Sequence, residues 1–182
     1  ALALLEDDSL SHPALECVFT VEEETGMDGA YALDMSVLQG KYLLNLDSEE
    51  EGTVLASCAG GLRKICTLPV DRREAEGTAY HLEITGLKGG HSGAEIHTEK
   101  GNAVILMGRL LYEINRELPM VICALKGGLK DNAIPRLCEA QILVKKEDEE
   151  RLEQLVRAVE KDLQEEFKVQ DPDVAVLCRA EG

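Results

Sequence analysis

Acidic side chains follow two apolar runs in the first third of the sequence. The triplet Glu22–Glu24 comes directly after the run at residues 15–21, and Asp47 comes directly after the run at residues 42–46. If these runs are neighbouring strands, the acids converge, and two ionised carboxylates about 4 Å apart repel by about 4 kcal/mol at an effective dielectric constant of about 20. A divalent cation or raised pKa values would relieve this repulsion. The pattern therefore predicts a metal site, with solvated loop charges as the alternative interpretation.

A glycine-rich loop further along the chain presents a single imidazole. Residues 89–93 read Gly-Gly-His-Ser-Gly, with His91 at the centre. Glycines let the backbone approach a ligand closely, and a free imidazole can donate a hydrogen bond to an oxyanion. Asn132 and Arg136 flank a later turn, and they could clamp an anion because Arg binds carboxylates through two parallel hydrogen bonds. The alternatives are a surface histidine and an ordinary turn.

The elements that must position these residues fall into two parts, and residues 1–69 form the first. Apolar runs alternate there with acidic or glycine-bearing loops, which is typical of part of an α/β sheet whose site lies at the carboxyl ends of its strands. We expect a short helical tail at residues 1–6 and a helix from Gly29 to Leu38. The expected strands are residues 15–21, 42–46, 53–58 and 62–68.

Residues 70–182 form the second predicted domain. Residues 79–87 alternate apolar and polar side chains, as a half-buried strand does. Asn102 and Asp148 each precede a segment whose apolar residues recur every 3.6 positions, so each is expected to cap a helix. With strands at 119–125, 137–144 and 174–179, the order is the β-α-β-β-α-β plan of ferredoxin-like domains. Such a domain leaves one sheet face open, which favours self-association.

Composition excludes several classes of partner. The chain has 182 residues, 19 Lys and Arg against 35 Asp and Glu, and a formal net charge of −16. Nucleic-acid binding needs clustered basic residues and stacking aromatics, whereas this chain has two Phe, four Tyr and no Trp. No run approaches the roughly 18 apolar residues of a membrane span. We therefore expect a cytoplasmic protein that binds neither nucleic acid nor membranes.

The six cysteines are widely spaced, with no Cys-x-x-Cys pair, so we expect buried, reduced thiols rather than a disulfide framework or a thiolate metal site. They are Cys17, Cys58, Cys66, Cys123, Cys138 and Cys178.

Four segments resemble, in order and spacing, the aminoacyl-histidine dipeptidases of the M20 metallopeptidase family. They are Phe19–Met27, Asn45–Gly52, Gly86–Gly93 with Ile96 and His97, and Asn132–Arg136. The resemblance spans essentially the whole chain. It implies a hydrolase with two zinc ions, made of a catalytic α/β domain and an inserted lid domain that also forms a homodimer. Residues 1–69 would be part of the catalytic domain, and residues 70–182 would be the lid.

The same resemblance implies roles for the acidic residues. Glu23 matches the general base, which takes a proton from the attacking water and passes it to the leaving amine. Glu24 and Asp47 match carboxylate ligands, one for each zinc ion. The family commonly has Asp at the position of Glu22, a conservative difference at a residue that is not expected to bind metal.

In the lid, the resemblance matches His91 to the histidine that reaches the scissile carbonyl, in several relatives from the opposite subunit. Asn132 and Arg136 match residues that hold polar groups of the dipeptide substrate. The family's His-x-Asp motif, its metal-bridging Asp and its last His ligand have no counterpart in these 182 residues. We therefore expect an internal piece of a longer Xaa-His dipeptidase, one that binds zinc weakly and is inactive alone.

Three alternatives stay open. Another M20 activity, such as a tripeptidase, a carboxypeptidase or an N-acyl amino acid deacylase, would share the arrangement of two metal ions. The chain could act only as a dimerisation module through residues 70–182. Finally, the acidic loops could bind calcium in a structural role.

Overall fold

The computed structural model describes residues 1–47, 50–58, 60, 62 and 64–181. Ser48 and Glu49, which belong to the predicted acidic loop, lie outside the described residues. The chain divides into two compact units, Ala1–Cys66 and Thr67–Gly182. Compactness alone does not define a folding unit, so the assignment of domains to residues 1–69 and 70–182 stays a prediction.

The first unit contains short helical segments. Helix α1 is Leu2–Glu6, which confirms the predicted helical tail. The helix expected from Gly29 to Leu38 is instead two pieces, helix α2 at Asp28–Ala32 and a 3-10 turn at Met35–Val37. Asp34 interrupts them, because it is extended and its side chain accepts a hydrogen bond from the Ser36 N–H. Aspartate competes for the local backbone in this way and so favours turns over helix interiors.

The four strands predicted in the first unit are wrong, as far as the described residues show. No strand is found before Thr78 in the part of the chain that the structure describes, and Arg63, within the fourth predicted strand, lies outside that part. The apolar side chains of the runs are exposed, with Tyr42 at 93% and Val54 at 92%. A strand needs a neighbour for its backbone hydrogen bonds and a layer to cover its apolar face. Among the described residues, these runs have neither.

The second unit has the predicted alternation of strands and helices. Its elements are β1 (Thr78–Thr85), β2 (Gly90–His91), α3 (Ala103–Glu117), β3 (Met120–Gly127), β4 (Ala133–Ile134), β5 (Cys138–Val144), α4 (Glu149–Glu166) and β6 (Ala175–Glu181). The main sheet has the order β3-β5-β1-β6 and all neighbours are antiparallel, while β2 and β4 form a separate two-stranded sheet. The fold is therefore mixed α/β with the ferredoxin-like β-α-β-β-α-β order, as predicted.

The starts of the two long helices follow from their sequences. The Asn102 side chain accepts hydrogen bonds from the Val104 and Ile105 N–H groups at 3.0 and 3.3 Å, so it caps α3 as predicted. Asp148 precedes α4 but makes no capping hydrogen bond with its side chain, which corrects its predicted role. Glu149 and Glu150 lie in the first turn of α4, where carboxylates interact favourably with the helix dipole.

Both long helices cover the same face of the main sheet. Tyr80, Leu82 and Ile84 of β1 point into this core, and the apolar stripes of α3 and α4 complete it. The residues between them, such as His81 and Glu83, lie on the opposite face and are half-buried. One face of the main sheet is therefore buried under the helices and the other face is not covered by them, as the alternation of β1 predicts.

The cysteines are only partly as predicted. All six are free thiols, but only Cys138 is buried, and Cys58 and Cys66 are exposed. The prediction of six buried thiols is wrong. Three of the cysteines lie in the first unit, whose apolar runs are exposed, and Cys123 and Cys178 are only half-buried in the second unit. Burial raises the pKa of the Cys138 thiol. Burial, with a smaller contribution from Glu153, raises the pKa of Cys178 to about 11.

Across the described residues, none of the helices combines the length and the apolar character that a membrane span requires.

Candidate functional site

The loop between β1 and α3 brings three of the predicted site residues together. Strand β2 pairs with β4, so that His91 lies opposite Ala133 and the Ser92 N–H donates to the Asn132 carbonyl at 2.9 Å. Gly89 has a φ of +66°, and a Cβ at this position would lie 3.1 Å from the Ile134 carbonyl oxygen. Glycine adopts this conformation without strain and leaves room for this close approach. The glycine motif therefore holds His91 beside the segment of Asn132 and Arg136.

The ring of His91 has a defined orientation. Its Nδ1 accepts hydrogen bonds from the Gly93 and Ala94 N–H groups at 3.1 and 3.0 Å. An acceptor nitrogen carries no proton, so in the neutral ring the proton is on Nε2. The side chain is exposed. His91 therefore presents Nε2–H as a donor on the outside of the loop, which is the chemistry needed to stabilise a developing oxyanion.

A salt bridge at the surface supports the loop. Glu95 accepts hydrogen bonds from the Lys100 ammonium at 2.6 Å and from the His91 backbone N–H at 2.8 Å. The Lys100 hydrogen bond and then the His91 N–H hold the pKa of Glu95 below its ordinary value. The sequence analysis missed Glu95. Its position four residues after His91, on a tight turn, is the signal that could have found it.

Asp171 ties both ends of the same loop to the core. Its side chain is fully buried, and it accepts hydrogen bonds from the Lys88 N–H and the Gly101 N–H, both at 2.7 Å. These two donors bracket the segment that carries His91. Asp171 lies in the connection between α4 and β6 and was also missed, because no local pattern connects it to residues 70 or more positions earlier.

A cleft of about 640 Å³ adjoins the loop. Its lining includes Ser92, Lys100 and Arg109. Lys100 is paired with Glu95, and Arg109 binds Glu166 through two hydrogen bonds at 3.0 and 2.8 Å. Because these cations are already paired, the cleft carries less positive charge than its basic residues suggest.

Asn132 and Arg136 are exposed and flank β4. The Pro135 carbonyl between them accepts a hydrogen bond from the Ala103 N–H at 2.8 Å, which anchors their turn to the start of α3. Both side chains are accessible to a ligand, on the same segment that pairs with His91. Their role as substrate-binding residues remains a prediction.

The acidic candidates lie in the first unit. Glu23 and Glu24 are exposed in a turn that the Met27 N–H closes by donating to the Glu22 carbonyl at 2.8 Å. Glu22 has a φ of +59°, so the turn is backbone-strained. Asp47 is exposed, and its N–H donates to the Asn45 side chain at 3.1 Å.

Potential metal ligands cluster elsewhere among the described residues. Among the described residues, one group of at least three potential metal ligands lies close enough together to share an ion: His81, Glu83 and Glu139. This group does not include Glu24 or Asp47. These two carboxylates are exposed, and carboxylate oxygens are ordinary zinc ligands, so their chemistry fits two of the positions around a metal pair. Their roles as ligands, and that of Glu23 as base, remain predictions.

Comparison with known proteins agrees with the fold and with the motifs. Residues 82–171 match the family model of the M20 peptidase dimerisation domain. This segment is therefore similar to the dimerisation domain of M20 peptidases, and the resemblance to M20 peptidases that the motifs indicated is confirmed.

Two relatives illustrate the similarity. The chain is 40% identical over 179 residues to the cytosol non-specific dipeptidase of Escherichia coli, covering 97% of this chain and 37% of that protein. The crystal structure of aminoacylhistidine dipeptidase from Vibrio alginolyticus matches with a TM-score of 0.67 and 30% identity, covering 90% of this chain and 34% of that one. The chain therefore spans about a third of the length of these relatives.

Proposed function

We propose that this chain is part of a zinc-dependent M20 dipeptidase that hydrolyses the peptide bond of Xaa-His dipeptides. The observation that carries the proposal is the loop of His91, whose Nδ1 is occupied by two backbone N–H groups. Its Nε2–H is a donor that can stabilise the negative charge developing on the carbonyl oxygen during amide hydrolysis. The 40% identity to a dipeptidase supports the same reaction class.

Four residues of this chain would take part in the reaction. His91 would donate its Nε2–H to the scissile carbonyl oxygen as negative charge develops there. Glu23 would take a proton from the attacking water and deliver it to the leaving amine. Asn132 and Arg136 would bind the free carboxylate of the dipeptide, because a guanidinium offers two parallel donors to a carboxylate.

Glu24 and Asp47 would hold zinc, one carboxylate for each of two ions. Bound zinc would polarise the carbonyl and lower the pKa of water toward 7. A zinc site needs at least three protein ligands, so two carboxylates fill only part of a pair of sites. We therefore expect the 182-residue chain by itself to bind zinc weakly at these residues and to lack dipeptidase activity.

The second unit would associate with a second copy of the chain. The match of residues 82–171 to a dimerisation domain supports this proposal. A cytoplasmic location is proposed from the six free thiols and from the cytosolic relative. A purely non-catalytic dimerisation module is the second candidate, because the family match lies entirely within the second unit.

The test uses the polypeptide encoded by the complete reading frame that contains this sequence. Turnover of a Xaa-His dipeptide is measured for wild type, Glu23→Gln and the matched control Glu51→Gln, an exposed acid of the other acidic loop. We expect Glu23→Gln to lose about 10²- to 10⁴-fold in kcat, as removal of a general base does, with its zinc content unchanged. Glu51→Gln should retain wild-type turnover.

Turnover by Glu23→Gln at the wild-type rate, with zinc bound, would remove Glu23 from the mechanism. Absence of any peptidase activity in the complete polypeptide, with dimers in sedimentation, would favour the dimerisation module. A panel with a tripeptide, a dipeptide without His and an N-acyl amino acid distinguishes the other M20 activities.

A further inference from the structure

A second cluster of metal-binding side chains lies on the open face of the main sheet. His81 occupies the middle of β1, and its Nε2 is 3.9 Å from a carboxylate oxygen of Glu83 and 3.9 Å from one of Glu139. The three ligand atoms lie within 4.8 Å of one another. The side chains of His81, Glu83 and Glu139 are 30%, 22% and 41% exposed, so a small ion can reach them from solvent.

The register of the sheet makes this arrangement unfavourable without a cation. Glu83 of β1 lies directly opposite Glu139 of β5, and like charges in this position destabilise an antiparallel pair. Lys126 of β3, opposite Glu139, and Arg179 of β6, opposite His81, supply positive charge on two sides. Neither of them lies between the two glutamates in the register, so a cation held by both carboxylates would relieve the repulsion directly.

The other ring nitrogen of His81 already faces a carboxylate. Nδ1 lies 3.9 Å from Glu181 of β6, and the Gln141 side chain donates a hydrogen bond to that carboxylate. Histidines that bind metals through one nitrogen usually donate the other N–H to a carboxylate, which sets the tautomer and the ring orientation. Glu181 is placed to do this for His81, and Gln141 orients Glu181.

We propose that His81 Nε2, Glu83 and Glu139 bind one zinc ion on the open face of the sheet, distinct from the proposed ligands Glu24 and Asp47. An imidazole nitrogen and carboxylate oxygens are ordinary zinc ligands, and three of them leave the fourth tetrahedral position open. Ligand atoms about 2.1 Å from a tetrahedral ion lie about 3.4 Å apart. The present separations are 3.9 Å and up to 4.8 Å, and rotation about the side-chain bonds of the glutamates closes the difference.

The experiment titrates zinc chloride into the 182-residue protein after removal of metal with a chelator. Free thiols also bind zinc, so the readout is the histidine rings, observed by NMR; the chain has four histidines. The measurement is made in the variant Glu24→Gln with Asp47→Asn, which removes the other proposed ligands. We expect one equivalent of zinc to shift the ring signals of His81 and to leave those of His12 unchanged.

Variants then identify the ligands. Glu139→Gln preserves size and removes charge, so it should weaken the effect of zinc on His81 at least about tenfold. The exposed Glu150→Gln should leave it unchanged. His81→Gln, with its fold checked by circular dichroism, should abolish one equivalent of binding. His81 signals that do not respond to zinc, or a Glu139→Gln variant that responds like wild type, would overturn the proposal. Failure of this site would leave the dipeptidase proposal intact, because that proposal uses other residues.

Discussion

Replacement of Asp171 by Ala is expected to release the loop that carries His91. The Asp171 carboxylate is fully buried and accepts one hydrogen bond at 2.7 Å from each end of that loop, from Lys88 and from Gly101. A buried N–H left without an acceptor costs about 1–3 kcal/mol. Gly101 is buried and bears this full cost, whereas Lys88 is exposed and its N–H can partly recover a bond to water.

The two losses together predict that Asp171→Ala lowers the free energy of unfolding by about 2–4 kcal/mol. That is a large share of the roughly 5–15 kcal/mol of a typical domain. Urea denaturation followed by circular dichroism measures it, and the exposed neighbour Asp173→Ala is the control, with an expected change within about 0.5 kcal/mol. Amide hydrogen exchange at Lys88 and Gly101 should accelerate in Asp171→Ala. If both variants unfold alike and the two amides keep their protection, the reasoning about this clamp is wrong.

Three further predictions concern the backbone at Gly89, the charge of Glu95 and the thiol of Cys178. Gly89 has a φ of +66°, so Gly89→Ala should destabilise the protein by about 1–3 kcal/mol. Gly108 lies inside α3 with open space around it, so Gly108→Ala should stabilise the protein by about 0.5–1 kcal/mol. Thermal unfolding that shifts in the same direction for both variants would contradict this. The hydrogen bond with Lys100 is the largest of the interactions that lower the pKa of Glu95 from its ordinary 4.5. The Glu95 carboxylate therefore stabilises the protein above about pH 4.5, and this stabilisation is lost as the pH falls through the pKa that Glu95 has in the folded protein. The difference in stability between wild type and Glu95→Gln should therefore shrink below pH 4.5, as urea titrations at pH 7 and pH 3.5 would show. With a pKa of about 11, Cys178 should react with a thiol reagent at pH 8 far more slowly than the exposed Cys66, because only about one thiol in a thousand is ionised; equal rates would refute the burial argument.

Periodicity was sufficient to predict the main sheet and the two long helices of the second unit. The alternation through Tyr80, Leu82 and Ile84 indicates which face of β1 is buried, and the 3.6-residue stripe after Asn102 indicates where α3 begins and which side packs. These signals are local, since each depends only on side chains within one element. The two long helices and the four strands of the main sheet follow from them, with strand boundaries within about two residues. The short strands β2 and β4 were not predicted.

The same reasoning was wrong in the first unit. Runs such as Tyr42–Leu46 have the composition of a buried strand, but their side chains are exposed and the described residues there form no sheet. A strand is stabilised by its neighbours rather than by its own composition. Strand propensity in this segment was therefore not sufficient to predict a strand.

The sequence was sufficient to identify the types of residue in the candidate site and their order along the chain. They are the acids at 23, 24 and 47, the histidine at 91 in the glycine-rich loop, and the turn at 132–136 that begins with Asn and ends with Arg. The contacts that orient them could not. Asp171 meets Gly101 across 70 positions, and His81 meets Glu139 and Glu181 only through the register of three strands. Local patterns specify an element and its buried face because neighbouring residues share one backbone geometry. Contacts between distant residues depend on which strands pair, in what register and where loops close, and these are properties of the folded chain.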